Sequence, residues 1–182
     1  VGVHIHVAEG PDDAEAGRRL ANLADDDWWL VHCVHLDRRL PGTIAHNPRS
    51  NMNNSVGYAR PAVRPNRIVL GTDGIGADML EEARLAYVKL RETDVQASPD
   101  TVWRWLDNGY ELFPEARDDE VTWNYDHADS TWHVVFTPGV RALQVRSAEG
   151  EVLLADGRPT RVDVDEVRAK AAEQAQRLFA KL

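Results

Sequence analysis

Histidines dominate the candidate chemistry of this sequence. Five of the seven lie within the first 46 residues, at His4, His6, His32, His35 and His46. Each lies in or beside a short apolar segment that predicts a strand. Imidazoles that meet at the ends of neighbouring strands can bind a metal ion or carry protons. A single histidine of this kind is more often a hydrogen-bonded core residue, but five together favour a site.

Two carboxylates could work with these histidines. Glu9 follows His6 by three residues, so at the end of a strand its side chain can turn over the same cavity. Such a neighbour can take a proton from a water and return it. Asp73 comes directly after the apolar segment 67–72, a position that faces the ligand in parallel α/β sheets. The alternative for Asp73 is a turn cap, because Asp-Gly is a common turn pair.

The segment 46–51, with sequence HNPRSN, is dense in side chains that form hydrogen bonds. It places an imidazole, two amides, a guanidinium and a hydroxyl directly after a predicted strand. A plain loop could contain these residues. Their density favours contact with a substrate.

The elements that must position these residues form an alternating pattern. Apolar segments predict four strands, within residues 1–8, 28–34, 42–46 and 67–72. A helix predicted over 11–23 separates the first two strands, which is typical of a parallel α/β sheet. The links 35–41 and 48–66 are too short or too rich in proline to hold a full crossover helix.

The second half of the chain changes character. Asp78 predicts the N-cap of a helix over 79–92, and Ser98-Pro99 predicts the start of another. Residues 113–132 are predicted to be irregular, and strands are predicted at 133–137, 142–146 and 151–155. A final helix begins after Asp163 or Asp165. Its apolar stripe predicts packing on its own domain, with a homodimer contact as the alternative.

Composition excludes some classes of protein. The 182 residues carry 21 Lys+Arg against 30 Asp+Glu, a net charge of −9, which argues against binding nucleic acid or an anionic membrane. No apolar run reaches the roughly 20 residues of a membrane span. The single cysteine, Cys33, is typical of a reducing compartment, so we expect a cytoplasmic location. The chain opens within a strand and without Met, and we expect further sequence upstream.

Four motifs in order resemble one family. They are HVAE (6–9), VHCVHL (31–36), AHNPRSNMNN (45–54) and LGTDG (70–74). Together they resemble the amidohydrolase superfamily, in its aminohydrolase/chlorohydrolase branch of guanine deaminase-like and S-adenosylhomocysteine deaminase-like enzymes. The resemblance implies the C-terminal half of a (β/α)8 TIM-type barrel, strands five to eight with some helices reduced, plus part of a small β-sandwich and a C-terminal helix. It implies a partial barrel domain over 1–130 and a partial sandwich domain over 131–182.

The resemblance also implies a metal site. His6 and His32 match the metal-binding histidines of strands five and six, and Asp73 matches the strand-eight aspartate that touches the metal. We expect one divalent ion, Zn²⁺ with Fe²⁺ as the alternative. The family's first metal motif, a His-x-His on strand one, is absent from this sequence. A binuclear site bridged by a modified lysine also occurs in the wider superfamily, but the first lysine here is Lys89, beyond all four motifs.

Catalytic and substrate-binding roles follow from the same resemblance. Glu9 matches the glutamate that shuttles a proton, His46 the histidine that contacts the activated water and the substrate, and Asp73 the aspartate that helps deprotonate that water. We assign substrate contact to His35 and Asn47.

The function implied is hydrolysis of a carbon–nitrogen bond outside peptides. A metal-activated water would deaminate an aminated heterocycle, so the expected partners are a small heterocyclic substrate and water. The alternative is a non-catalytic remnant or subunit that serves as a binding or assembly module, because the strand-one motif is missing.

Overall fold

The computed structural model describes residues 2–125, 130–137 and 139–182. These residues divide into two compact units, one with residues 2–112 and 130–137 and the other with 113–125 and 139–182. These boundaries lie elsewhere than the predicted domains 1–130 and 131–182, and that domain division stays a prediction. Among the described residues, no helix combines the length and apolar character needed to cross a membrane.

A four-stranded parallel sheet is the centre of the first unit, as the sequence pattern predicts. Its strands are β1 (His4–Val7), β2 (Trp29–His32), β3 (Thr43–His46) and β4 (Ile68–Leu70). They lie side by side in sequence order, and every pair is parallel. All four carboxyl ends therefore meet at one edge of the sheet, where ligands bind in parallel α/β folds.

Helices of different lengths connect and cover these strands. The described residues of this unit form α1 (Ala16–Leu20), α2 (Pro48–Asn53), α3 (Met79–Arg91), α4 (Pro99–Asp107), α5 (Gly109–Leu112) and α6 (Thr131–Phe136). Short 3₁₀ turns add Pro11–Asp13, Pro61–Val63 and Asp73–Ile75. The helix predicted over 11–23 is thus a 3₁₀ turn followed by the five residues of α1. The helix after Asp78 begins as predicted, because the Asp78 carboxylate accepts hydrogen bonds from two N–H groups of its first turn.

The connection between β2 and β3 contains no helix, as the short link predicts. Leu36 and Leu40 are buried along it and take the place of a helix's apolar face. The side-chain amide of Asn66 donates to the carbonyl oxygens of Leu40 and Gly42 at 2.9 and 2.8 Å. These contacts stabilise a short connection between two parallel strands that contains no helix.

The core of the first unit lies where the sheet meets α3 and α4. Leu30 of β2 and Ile44 of β3 are fully buried, as is Val102 of α4. Leu90 of α3 and Trp105 of α4 join the same cluster. The core therefore supports the strands whose ends carry the candidate site.

The predicted strand at 133–137 is wrong, because residues 131–136 form helix α6. The Ser130 hydroxyl caps the helix by accepting from the N–H of Trp132. Trp132 and Phe136, one helical turn apart, both contact the ring of Tyr87. Arg84 donates to the carbonyl oxygens of residues 135 and 137 near the helix end. Tertiary contacts thus override the β-propensity of the segment.

The second unit contains an antiparallel sheet and the last helix. Its strands are β5 (Glu120–Trp123), β6 (Ala142–Arg146), β7 (Val152–Ala155) and β8 (Arg158–Pro159), paired in that order. The strands β6 and β7 are confirmed, whereas β5 and the 3₁₀ turn Pro114–Asp118 lie in the stretch predicted to be irregular. Residues 126–129 of that stretch lie outside the described residues.

Helix α7 (Val164–Phe179) ends the second unit, and Asp163 caps it as predicted. None of its residues is buried, and Leu178 and Phe179 are 57% and 69% exposed. The prediction that this helix buries its apolar stripe on its own domain is therefore wrong. The homodimer contact stays a prediction.

Replacing Gly42 with Ala should destabilise the first unit. Gly42 has a φ of +108°, and a Cβ at this position would lie 2.6 Å from the carbonyl oxygen of Trp28. We expect a loss of about 1–3 kcal/mol in the free energy of unfolding, measured by urea denaturation. The control is Gly109→Ala, where a Cβ meets no atom within 4 Å. An equal midpoint for both variants would contradict the strain argument.

Candidate metal centre

The parallel sheet brings the predicted residues to one edge. His32 and His46 are the last residues of β2 and β3, and Asp73 follows β4 by three residues. In the register of the sheet, Val7 lies beside His32 and His46 lies beside Leu70. His6 and Glu9 flank the end of β1, so side chains from all four strands reach the same region.

The Nε2 atom of His32 is the point on which these groups converge. It lies 3.2 Å from His6 Nδ1. It also lies 3.5 Å from Glu9 Oε2 and 3.8 Å from Asp73 Oδ2. His32 is fully buried, whereas the two carboxylates remain partly exposed. The site is therefore a half-open cluster with its centre against the end of β2.

Helix α2 holds the other side of the His32 ring. His32 Nδ1 lies 2.9 Å from Asn51 Oδ1, inside the protein. An amide oxygen only accepts hydrogen bonds, so a hydrogen bond to Asn51 requires the ring proton on Nδ1, and that tautomer presents the Nε2 lone pair to the cluster. Asn47 Nδ2, at 3.4 Å from Nδ1, lies on the same side.

The Asp73 carboxylate is fixed from two directions. The Ser50 hydroxyl donates to Oδ2 at 2.6 Å, and the Gly74 N–H donates to Oδ1 at 2.8 Å. The Ser50 hydrogen bond is the largest cause that holds the pKa of Asp73 below its ordinary value. Asp73 is therefore an anion at neutral pH.

The backbone at this edge is strained. His32 and Asp73 have φ values of 71° and 53°, and Ala8 and Cys33 lie in the same left-handed region. This region is unfavourable for residues with a Cβ, and it persists only where the surrounding structure imposes it. Four such residues lie beside three strand ends, where the surrounding structure holds them in this conformation.

His46 lies deeper than the other site residues. It is 1% exposed, and neither ring nitrogen has a hydrogen-bond partner among the described residues. Burial, and to a smaller extent the nearby His32, lowers the pKa of His46 to about 3. Its imidazole is therefore neutral at physiological pH, with ring contacts to Tyr58 and Trp105.

The two residues predicted to bind substrate occupy different surroundings. Asn47 is buried beside His32, and its Oδ1 lies against Gly71, where a Cβ would clash with it. His35 is half-buried, and its Nε2 lies 2.7 Å from the carbonyl oxygen of Val56. His35 is therefore engaged with the loop after α2, and the substrate roles of both residues stay predictions.

The donor set fits a divalent cation. Ligating atoms of His6, Glu9 and His32 all lie within 4.8 Å of one another. Two ligands of one tetrahedral Zn²⁺, each about 2.0–2.1 Å from the ion, lie roughly 3.3 Å apart, close to the separations around His32 Nε2. Carboxylates and an imidazole lone pair converge here, and a bound cation would neutralise the carboxylates and accept the lone pair. Cys33 offers no thiolate, because burial raises its pKa to about 12.

The contacts that orient the site were not assigned from the sequence. Ser50 and Asn51 belong to the HNPRSN segment, for which the sequence predicts contact with a substrate. In the structure they hold Asp73 and His32 instead. The signal was present in the density of polar side chains directly after a strand, but their partners are 19 and 23 residues away in the chain.

Curated sequence relatives carry deaminase names. The chain is 35% identical over 47% of its length to a 5-methylthioadenosine/S-adenosylhomocysteine deaminase of Desulfitobacterium hafniense, of which it covers 26%. It is 29% identical over 98% of its length to a protein of the same name from Desulforudis audaxviator, of which it covers 52%. The chain thus spans at most about half the length of these relatives. No protein-family model matches it.

Solved structures share the fold. An amidohydrolase from Brucella melitensis superposes with a TM-score of 0.73 at 16% identity, over the whole chain and 49% of that protein. An adenosine deaminase from Xanthomonas campestris with bound zinc gives 0.70 at 18% identity, over 99% of the chain and 51% of that protein. An atrazine chlorohydrolase from Arthrobacter aurescens, complexed with zinc, gives 0.72 at 22%, over 95% and 48%. The sequence relatives support the resemblance to S-adenosylhomocysteine deaminase-like enzymes, and the solved structures, all under 25% identical, show that the fold is shared.

Proposed function

We propose that this chain, a relative of amidohydrolase-superfamily deaminases, carries the metal-binding half-site of an aminohydrolase. The reaction is hydrolytic removal of an amino group from an electron-poor ring carbon of a heterocycle. The observation that carries this proposal is the convergence of His6, Glu9 and Asp73 on the Nε2 atom of His32. The parallel sheet corresponds, in this proposal, to strands five to eight of a (β/α)8 barrel.

His6 and His32 would hold the ion, with Asp73 as the carboxylate ligand. A bound Zn²⁺ would supply Lewis acidity that lowers the pKa of a water. Fe²⁺ suits the same nitrogen and oxygen donors. Asn51 keeps the His32 lone pair aimed at the cluster, and Ser50 keeps Asp73 ionised and oriented.

The proton transfers fall to the two carboxylates. Asp73 accepts a proton from the attacking water, whose oxygen bonds to the ring carbon. Glu9 donates a proton to the adjacent ring nitrogen and later assists the departure of the amino group as ammonia. The net reaction converts an amino-substituted C=N of the ring plus water into a ring amide plus ammonia.

His46 would stabilise the charge that develops on the attacked ring. Because it is buried and neutral, it acts as a hydrogen-bond donor or acceptor and not as a cation. His35 and Asn47 are the proposed substrate contacts, by analogy with the motifs that contain them.

The test combines metal content with ammonia release. The purified chain is loaded with Zn²⁺, dialysed, and offered S-adenosylhomocysteine, 5-methylthioadenosine, adenosine and guanine. About one zinc per chain with ammonia release from one of these supports the proposal. Zinc binding without release from any of them supports the alternative, a non-catalytic binding or assembly module. A folded chain that binds no zinc contradicts the proposed function and also favours that alternative.

Replacing Glu9 with Gln should remove turnover and leave the metal in place. The amide keeps the size of the side chain but cannot donate the carboxylic proton, so we expect a loss of at least about 100-fold in the rate of ammonia release. Zinc content is measured in the same sample. Loss of the zinc together with the activity would make Glu9 a metal ligand, which its position 3.5 Å from His32 Nε2 also permits. Unchanged turnover would contradict both roles.

A further inference from the structure

Helix α2 controls the geometry of the candidate metal centre although it has only six residues. Asn51 on this helix contacts His32 Nδ1 at 2.9 Å, and Ser50 donates to Asp73 at 2.6 Å. Both contacts are made by side chains with few rotatable bonds, so a shift of the helix moves the two metal-site residues with it. A helix this short has little stability of its own. Its position must therefore be set by contacts from outside.

A buried carboxylate on α3 provides those contacts. Glu82 is fully buried. The backbone N–H of Arg49 donates to Glu82 Oε2 at 3.2 Å, and Arg49 Nε lies 3.1 Å from Glu82 Oε1. The N–H of Arg49 belongs to the first turn of α2, where N–H groups have no partner within the helix. Glu82 thus engages both the main chain and the side chain at the start of α2.

A buried ion pair adds little net stability, so stability alone does not explain why an ion pair attaches α2 to α3. Removing a carboxylate and a guanidinium from water offsets much of their attraction, and apolar residues of similar size often stabilise a protein equally well. Burial raises the pKa of Glu82, which reflects this cost. The attachment instead reaches α2 in two ways, because the carboxylate accepts a hydrogen bond from the Arg49 N–H and attracts the Arg49 guanidinium by charge.

We propose that Glu82 is a positioning residue for the metal centre, which acts through Arg49 and helix α2 on His32 and Asp73. The inference rests on the proposed function, because it concerns the same site. It assigns a role to a residue that lies outside the four sequence motifs and makes no described contact with His6, Glu9, His32 or Asp73.

The test replaces Glu82 with Gln. The amide keeps the volume and can still accept the Arg49 N–H, but it loses the charge that holds the guanidinium. We expect an affinity for Zn²⁺ lower by about 10- to 100-fold, the usual effect of losing a group that orients metal ligands, as measured by competition with a chelating dye. The second readout is the ¹⁵N NMR spectrum of the His32 ring, in which the Nδ1–H tautomer should be less populated.

The matched control is Glu81→Gln. The Glu81 carboxylate lies 2.6 Å from Nη2 of the same Arg49, but it is half-exposed and makes no described contact with the α2 backbone. We expect its zinc affinity and His32 spectrum to match those of the parent. If Glu82→Gln does not fold, Arg49→Met and Arg49→Lys replace it, and only Arg49→Met should weaken zinc binding strongly.

The outcomes separate the two proposals. If the parent binds zinc and Glu82→Gln binds it equally with an unchanged His32 spectrum, the inference is overturned and the proposed function stands. An equal loss in Glu81→Gln would also overturn it, because the effect would then be one of general charge. If the parent binds no zinc, the proposed function fails, and the test of Glu82 then depends on the NMR spectrum of the His32 ring. A smaller population of the Nδ1–H tautomer in Glu82→Gln supports the positioning role, and an unchanged spectrum overturns it.

Discussion

Replacing His32 with Ala is expected to lower the affinity of the chain for Zn²⁺ by at least about 100-fold. Loss of a group that merely orients a ligand costs 10- to 100-fold, and His32 is at the centre of the cluster. Its Nε2 lies within 3.8 Å of atoms of His6, Glu9 and Asp73. Zinc content after dialysis and isothermal titration calorimetry both measure the effect.

His4→Ala is the matched control for that experiment. His4 lies on the same strand as His6, but it is not one of the residues whose ligating atoms lie together, and its ring centroid is 6.4 Å from that of His6. The His4 variant should keep the zinc stoichiometry of the parent. Equal zinc loss in both variants, or none in His32→Ala, would place the metal elsewhere and contradict the proposed centre.

The metal-free chain should lose stability steadily as the pH falls below about 6.5, because of His46. In the unfolded chain its imidazole takes up a proton near its ordinary pKa of 6.5, whereas burial lowers the pKa to about 3 in the folded state. Between these values only the unfolded state is protonated, so acid favours unfolding. Each pH unit should cost about 1.4 kcal/mol. Above pH 6.5 His46 is neutral in both the folded and the unfolded chain, so its effect on stability no longer changes with pH.

The measurement is a series of urea titrations between pH 7.5 and 4.5 with a chelator present. Carboxylates such as Asp73 begin to take up protons in the unfolded chain at the acidic end of this window, and a comparison variant that keeps them removes their contribution. The comparison variant is His46→Gln, which cannot titrate there and should show a flatter dependence of stability on pH. Parallel curves for the parent and the variant would mean that His46 is protonated in the folded chain.

The sequence predicts the elements of the fold that depend on residues adjacent in the chain. Asp78 and Asp163 cap the helices that follow them, because a short carboxylate beside a helix start satisfies free N–H groups wherever the chain goes next. The apolar segments around Leu30 and Ile44 form buried strands for a similar reason, since a parallel sheet covered by helices requires apolar residues on both faces.

The predictions from the sequence are wrong where contacts between residues far apart in the chain determine the structure. Residues 133–137 have a strand-like composition, but Tyr87 and Arg84, about 50 positions earlier, stabilise a helix there. Glu120–Trp123 becomes a strand only because it pairs with Ala142–Arg146.

The candidate site shows the same division. Motif order brought His6, Glu9, His32 and Asp73 into one hypothesis, and parallel strand ends explain why they meet. Asn51 and Glu82 were not assigned supporting roles, because these depend on contacts 19 and 33 residues away in sequence. Spacing alone cannot show such contacts.

The left-handed backbone at His32 and Asp73 has a consequence for laboratory evolution. Glycine adopts this conformation without the steric cost of a Cβ, which amounts to about 1–2 kcal/mol at each position. A library selected for heat resistance alone should therefore drift toward glycine at the partly exposed Asp73, whereas at the fully buried His32 the loss of the packed ring opposes that drift. A lineage that keeps Asp73 under such selection would have been retained for what this side chain binds and not for how well the chain folds.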